Sequence, residues 1–190
     1  NENDLLLKQI IRVGKGCLSY ILCSKSAKEC LIADPSQFVE IYADIAKENG
    51  LKIKGILETH VHADHLSGAK LLAEIAKSGY YVSGRDFKAK ADFIDLDKLD
   101  KISIGKNKIK IIKTPGHTDG SVCFVVNDKA ILTGDTLFLE GIGRPDLGQD
   151  PKPNAAVLWD SLHEKLLEFP DTAYILPGHY SSAIEMIKNK

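Results

Sequence analysis

The chain has 190 residues, 44% of them hydrophobic and 27% charged, which is enough apolar material for one sizeable core, so a single domain over residues 1–190 is expected. Its 25 Lys and Arg against 26 Asp and Glu leave a formal net charge of −1, which argues against a broad basic field for nucleic acid or an anionic membrane. No run is long enough to span a bilayer, residues 1–13 lack the cationic start and cleavage site of a secretory leader, and Cys17, Cys23, Cys30 and Cys123 show no Cys-x-x-Cys spacing; a cytoplasmic chain with buried free thiols is expected. It opens on Asn1 and stops inside an expected helix over 182–190, so trimming at one or both ends is also expected.

Residues 5–13, 17–24 and 29–33 read as three strands rich in Ile, Leu and Cys, separated by Gly14-Lys15-Gly16 and by the polar run 25–28. Asp34-Pro35 then reads as a helix start, with Asp34 as N-cap, Gln37 as its capping-box partner, and Phe38, Ile41, Tyr42 and Ile45 on the buried face. Asn49-Gly50 ends that helix, residues 53–58 read as a buried strand, and 66–77 as a second helix with Leu71, Leu72 and Ile75 inward. After a strand at 80–82, the segment 86–100 fits either a short helix or a loop, and no chemistry is assigned to it. Strands follow at 102–104 and 108–113, and the run 121–126 pairs with 130–133 across Asn127-Asp128-Lys129. Residues 137–153 read as a long loop. Asn154 reads as the cap of a helix facing inward through Leu158, Leu162, Leu166 and Phe169, before a last strand at 173–176. Strands in two series, each closed by helices, suggest two sheets packed face to face under outer helices, an αββα sandwich.

The chemistry gathers where strands end. His60-Val61-His62-Ala63-Asp64-His65 puts three imidazoles and a carboxylate into six residues between the strand at 53–58 and the following helix, and that density suggests metal. Spaced i, i+2, His60 and His62 would point the same way from an extended segment, unlike the i, i+4 pair of a helical zinc site. His117 in Pro115-Gly116-His117-Thr118, Asp135 in Gly134-Asp135-Thr136, and His179 in Pro177-Gly178-His179-Tyr180 occupy further loops that leave strands. Any one of these histidines alone is more simply a hydrogen-bonded or capping imidazole, and His163, in mid-helix, reads as a surface residue. The combination is harder to dismiss.

His-x-His-x-Asp-His, Gly-His, Gly-Asp-Thr and Pro-Gly-His together resemble the metallo-β-lactamase superfamily across nearly the whole chain, which implies the αββα sandwich, α+β with two mixed sheets, already suggested by the element order. Asp135 in place of Cys argues against a β-lactam hydrolase, and His62 in place of Glu argues against the flavodiiron branch. The chain lacks the Gly-Cys-Gly-Lys-type loop and helical domain usual in glyoxalase II. Residues 59–68, 114–120 and Gly141-Ile142-Gly143-Arg144-Pro145-Asp146 resemble the persulfide dioxygenases, with Ile142 and Pro145 standing where some members have Cys and Thr.

That resemblance implies one Fe(II) per chain, held by His60, His117 and Asp135, a facial triad that leaves positions for water, substrate sulfur and dioxygen. The implied reaction oxidises the sulfane sulfur of a low-molecular-weight thiol persulfide with O2 to sulfite and free thiol. His62, Asp64, His65 and His179 would orient the ligands and pass protons. Arg144 is the candidate anchor for a glutathione-like carboxylate, with a salt bridge to Asp146 as its competing role; Tyr180 is a donor to substrate or a packing residue in equal measure. Two rivals remain. A glyoxalase II-like hydrolase of thioesters would place His60, His62 and His117 on one zinc, Asp64, His65 and His179 on a second, and Asp135 between them. A non-catalytic metal or sulfur-binding module of a sulfurtransferase assembly is the third reading, since related enzymes are sometimes fused to rhodanese domains. A homo-oligomer is compatible with all three.

Overall fold

The computed structural model describes residues 4–63, 66–87, 92–147 and 151–180. Asp64, His65 and the helix expected over 182–190 lie outside the described residues.

The first three apolar runs form the antiparallel strands β1 (Leu5–Arg12), β2 (Cys17–Ser24) and β3 (Glu29–Ala33). β4 (Lys52–Leu57), β5 (Gly79–Val82) and the two-residue β6 (Ile94–Asp95) continue the sheet in parallel, giving the order β1-β2-β3-β4-β5-β6. The second sheet holds β7 (Lys101–Ile104), β8 (Asn107–Lys113), β9 (Val122–Val126), β10 (Ala130–Gly134) and β11 (Tyr174–Pro177), ordered β11-β10-β9-β8-β7 with only the β10–β11 pair parallel. Both sheets are therefore mixed.

The unbroken burial of β2 and β9 follows from cover on both faces. Leu18, Tyr20 and Leu22 of β2 meet Val122, Phe124 and Val126 of β9 between the sheets, together with Leu31, Leu57, Ile104 and Ile109. The alternate residues turn outward to helices. Ile21, Cys23, Cys30, Ile32 and Ile56 pack under α1 (Glu40–Glu48) and α2 (Ala69–Ala76). Cys123, Val125 and Ile131 pack under α3 (Pro151–Ser161) and the π-helical turn Leu162–Leu166 that extends it. The four layers are the expected αββα sandwich.

The helix ends depart from expectation. Asp34 does not cap α1: it takes a left-handed backbone, φ 50°, and its carboxylate accepts the Thr59 amide at 2.8 Å, twenty-five residues away. The helix begins at Glu40, which rotates Val39, Tyr42 and Ala46 inward and leaves Phe38 and Ile41 exposed. Likewise α2 starts at Ala69 and buries Ala69, Leu72 and Ala73, with Leu71 and Ile75 outward. Asn154 lies inside α3, not at its cap; its amide donates to the Pro145 carbonyl at 3.1 Å and ties the helix to the preceding loop. In the ambiguous segment, the described residues form β6 and a 3₁₀ turn, Leu96–Lys98. Among the described residues no helix is long and apolar enough to cross a membrane.

Parallel pairing brings the ends of β3 and β4 to one edge of the sandwich, and the ends of β10 and β11 to the same edge from the other sheet. Hydrogen bonds join the sheets there: Val122 N–H to the Thr59 carbonyl at 2.8 Å, Leu18 N–H to Gly178 at 2.7 Å, Tyr180 N–H to Gly16 at 2.9 Å, and the Tyr20 hydroxyl to Pro177 at 2.7 Å. The loops carrying the motifs thus start from a rigid base.

Candidate metal centre

His60 follows β4, His117 lies in the β8–β9 loop, and Asp135 directly follows β10. One ligand-capable atom from each lies within 4.8 Å of the other two. The Nε2 atoms of His60 and His117 stand 3.9 and 3.7 Å from Asp135 Oδ2. Those separations are too long for hydrogen bonds and suit donors sharing one cation at about 2 Å each. Both imidazoles are buried, at 3% and 7% exposure, so a shared cation would offset the cost of holding their ring nitrogens away from water.

The other ring nitrogens fix which lone pair points inward. His117 Nδ1 lies 2.9 Å from the Arg144 carbonyl, which can only accept, so Nδ1 carries the proton and Nε2 is free to ligate. His60 Nδ1 lies 3.0 Å from the Thr59 hydroxyl, and that hydroxyl donates to Asp34 at 2.9 Å. It therefore accepts from His60 Nδ1–H, and again Nε2 is the nitrogen turned toward Asp135. Asp135 is oriented in turn by His179, whose Nδ1 donates to Oδ1 at 2.7 Å, leaving Oδ2 toward the two histidines. This donor set fits a divalent metal ion.

His62 is brought beside the cluster but not into it. Its ring centroid lies 4.2 Å from that of His60, while its Nε2 faces Asp34 Oδ1 at 3.4 Å. Burial works against its imidazolium, but Asp34, Glu58 and Asp135 together outweigh burial and raise its pKa. Glu58, buried behind it, is pushed above the usual carboxylate range by burial despite hydrogen bonds from Ser67 and Tyr80.

The Arg144 guanidinium makes a bidentate pair with Asp146, Nε to Oδ1 at 2.6 Å and Nη2 to Oδ2 at 2.9 Å, on the exposed surface. Tyr180 packs against the core between the sheets and pairs its backbone with Gly16. His163 is exposed, stacked on Trp159 at 3.7 Å.

Several contributors escaped the sequence reading. Thr59 and Asp34 orient His60, the Arg144 carbonyl orients His117, and Phe138 lies edge-on to His179 at 6.5 Å as a half-buried apolar rim. Gly143, singled out in the sequence within Gly-Ile-Gly-Arg, lies against the centre: a Cβ there would overlap the Asp135 carbonyl oxygen and come within 3.0 Å of His117 Nδ1.

The family model described as the metallo-beta-lactamase superfamily matches residues 12–179. Persulfide dioxygenase ETHE1, mitochondrial, of Bos taurus is 33% identical over 177 residues, covering 92% of this chain and 68% of the relative. Among solved structures, ETHE1 from Myxococcus xanthus superposes with a TM-score of 0.85 at 27% identity, covering 94% of this chain and 77% of that one. A metallo-beta-lactamase from Staphylococcus aureus superposes at 0.88 with 30% identity; the present chain spans 57% of its length. The chain belongs to the metallo-beta-lactamase superfamily and, within it, to the family of the persulfide dioxygenases.

Proposed function

We propose that this protein is an iron-dependent persulfide dioxygenase that oxidises the sulfane sulfur of a low-molecular-weight thiol persulfide. The observation that carries this reading is the composition of the cluster: two imidazole Nε2 atoms and one carboxylate oxygen meet, while the His62 Nε2 lies 3.4 Å from Asp34 Oδ1. Two histidines and a carboxylate are the donor set of non-haem Fe(II) oxygenases. A binuclear hydrolase would need His62 on the same ion as His60 and His117.

Iron, when bound, supplies the redox chemistry that spin-paired organic sulfur cannot perform with dioxygen unaided. The chain supplies orientation and charge. His60 and His117 present fixed tautomers, so no proton must leave either ring when the ion binds. His179 holds its proton on Nδ1 against Asp135 Oδ1, which keeps the carboxylate turned to one side. Phe138 places an apolar ring beside His179 that would limit water at the rim. Arg144 is the candidate anchor for a substrate carboxylate, in competition with Asp146. The balanced reaction consumes one persulfide, one O2 and one water, and yields one thiol, one sulfite and two protons. The sulfur–sulfur bond breaks; of the three hydrogens brought by persulfide and water, one ends on the thiol sulfur and two are released as protons.

The test is oxygen uptake by anaerobically prepared, Fe(II)-loaded protein on addition of glutathione persulfide, with sulfite measured alongside. Matching uptake and sulfite, abolished in His117→Ala, is expected. Absence of uptake, with cleavage of S-lactoylglutathione by the zinc-loaded protein, would replace this reading by the binuclear hydrolase.

A further inference from the structure

The loops that carry His60 and His117 leave different sheets, and a single carboxylate belonging to neither loop joins them. Asp86 lies in the turn after β5. Its Oδ1 accepts the Gly120 N–H at 2.7 Å, and its Oδ2 accepts the Thr118 hydroxyl at 2.5 Å and the Val61 N–H at 3.4 Å. Val61 follows His60 and Thr118 follows His117, so each imidazole is one residue from a group that Asp86 restrains. The hydrogen bonds are consistent: Thr118 gives its hydroxyl proton to Asp86 and accepts from the Ser121 hydroxyl at 2.8 Å, which accepts the Thr118 amide at 3.1 Å.

The Asp86 turn is itself anchored. Phe87 N–H donates to the Ser83 carbonyl at 3.0 Å, the Ser83 hydroxyl to Asp97 at 2.7 Å, and Gly84 N–H to Asp95 at 2.9 Å. On the facing loop, a Cβ at Gly120 would lie 2.7 Å from Asp86 Cγ, so the loop reaches the carboxylate this closely only because it carries glycine there. A carboxylate on a braced turn, accepting from both histidine loops, sets their separation more firmly than either loop could alone.

We infer that Asp86 is a positioning residue for the metal centre, holding the imidazoles of His60 and His117 at the spacing one ion requires. The inference rests on the reading that these two residues, with Asp135, hold the metal. Its effect is transmitted through two short backbone links, so its loss weakens metal binding and distorts coordination without removing a ligand.

Cobalt(II) is the probe, titrated into metal-free wild type, Asp86→Ala, Asp86→Asn and His117→Ala, with affinity read by chelator competition and coordination by the visible d–d bands. Thermal unfolding of each metal-free protein is recorded in parallel. Asp86→Ala is expected to bind cobalt about 10-fold to 100-fold more weakly, with shifted bands, the range typical of residues that orient ligands. Asp86→Asn keeps an acceptor for Gly120 and is expected to recover part of that loss. Wild-type affinity and bands in a folded Asp86→Ala would overturn the inference. If Asp86→Ala does not fold, wild-type affinity and bands in Asp86→Asn would overturn it equally. Wild-type binding by His117→Ala would instead bring down the ligand assignment on which it rests.

Discussion

The Thr59 hydroxyl donates to the Asp34 carboxylate at 2.9 Å and in the same geometry accepts from His60 Nδ1 at 3.0 Å, so one hydroxyl connects the end of β3 to a metal-site imidazole. Thr59→Val removes that connection at nearly constant volume. His60 Nδ1–H then loses its acceptor, and buried Asp34 loses one of its donors. We expect the variant to bind Co(II) or Fe(II) about tenfold more weakly, and to lose about 1–3 kcal/mol of stability from the polar groups left unmatched. Chelator competition and denaturant unfolding of the metal-free protein check the two effects separately. Unchanged affinity with lowered stability would make Thr59 a purely structural residue.

Metal stoichiometry separates the one-ion reading from the two-ion reading. With His62 turned to Asp34, purified protein loaded with excess Fe(II) and desalted is expected to retain about one ion per chain, the count of a two-histidine, one-carboxylate site. Asp135→Ala is expected to retain almost none. His179→Ala, which removes the donor to Asp135 Oδ1, is expected to keep the ion with reduced affinity. Two ions per wild-type chain by elemental analysis would contradict this and favour the hydrolase.

The legible part of this molecule is the part whose chemistry demands rare residues or strict alternation. Leu18, Tyr20 and Leu22 against Ile21 and Cys23 describe a strand covered on both faces, and the loop histidines describe a metal site because few other roles call for so many imidazoles. Asp34-Pro35 misled because a helix cap and a tertiary anchor use the same short carboxylate. The side chain that accepts a backbone amide three residues on could as well accept one from Thr59, and only the folded chain decides. Arg144 contributes to His117 through its carbonyl, which every residue has, so no side-chain pattern could reveal it. Asp86 reaches partners 25 to 34 residues away in sequence from a segment with no periodicity, which left it invisible.

The Arg144–Asp146 pair gives a directional test of substrate anchoring. Asp146 occupies the Nε–Nη2 edge of the guanidinium, and the hydrogen bonds from Arg144 hold its carboxyl below the ordinary value. If Arg144 also binds a substrate carboxylate, Asp146 competes with it. Arg144→Ala is then expected to raise KM for glutathione persulfide by about tenfold or more, and Asp146→Asn to lower it, with kcat little changed in both. Thermal stability should be unaffected, since exposed ion pairs contribute little. Equal KM values across wild type and both variants would remove Arg144 from the binding site.

Gly143 tests how closely the loop after β10 must approach the centre. A Cβ there overlaps the Asp135 carbonyl oxygen, so Gly143→Ala forces either that backbone or the loop to move. Because the moving loop also carries the Arg144 carbonyl that orients His117, metal affinity should fall by about 10-fold to 100-fold, the range seen when ligand-orienting groups are lost. The secondary structure, read by far-ultraviolet circular dichroism, should not change. Wild-type affinity in Gly143→Ala would show that the loop can yield without disturbing either ligand.

The buried thiols predict a pH dependence whose sign can be worked out. Burial pushes both Cys30 and Cys123 from an ordinary 9.0 up to about 12. With folded-state values raised, the folded chain keeps these protons while the unfolded chain releases them. Their contribution is therefore complete below pH 9 and is lost as pH rises from 9 toward 12, at no more than about 1.4 kcal/mol per pH unit for each thiol. The double variant Cys30→Ala, Cys123→Ala should start less stable at pH 8, because two packed side chains are shortened, yet lose stability more slowly between pH 9 and 11. Denaturant unfolding across that range measures the slope directly, and parallel slopes for wild type and variant would contradict the assignment. In the native protein at pH 8, Ellman's reagent should react with none of the four buried cysteines until denaturant is added.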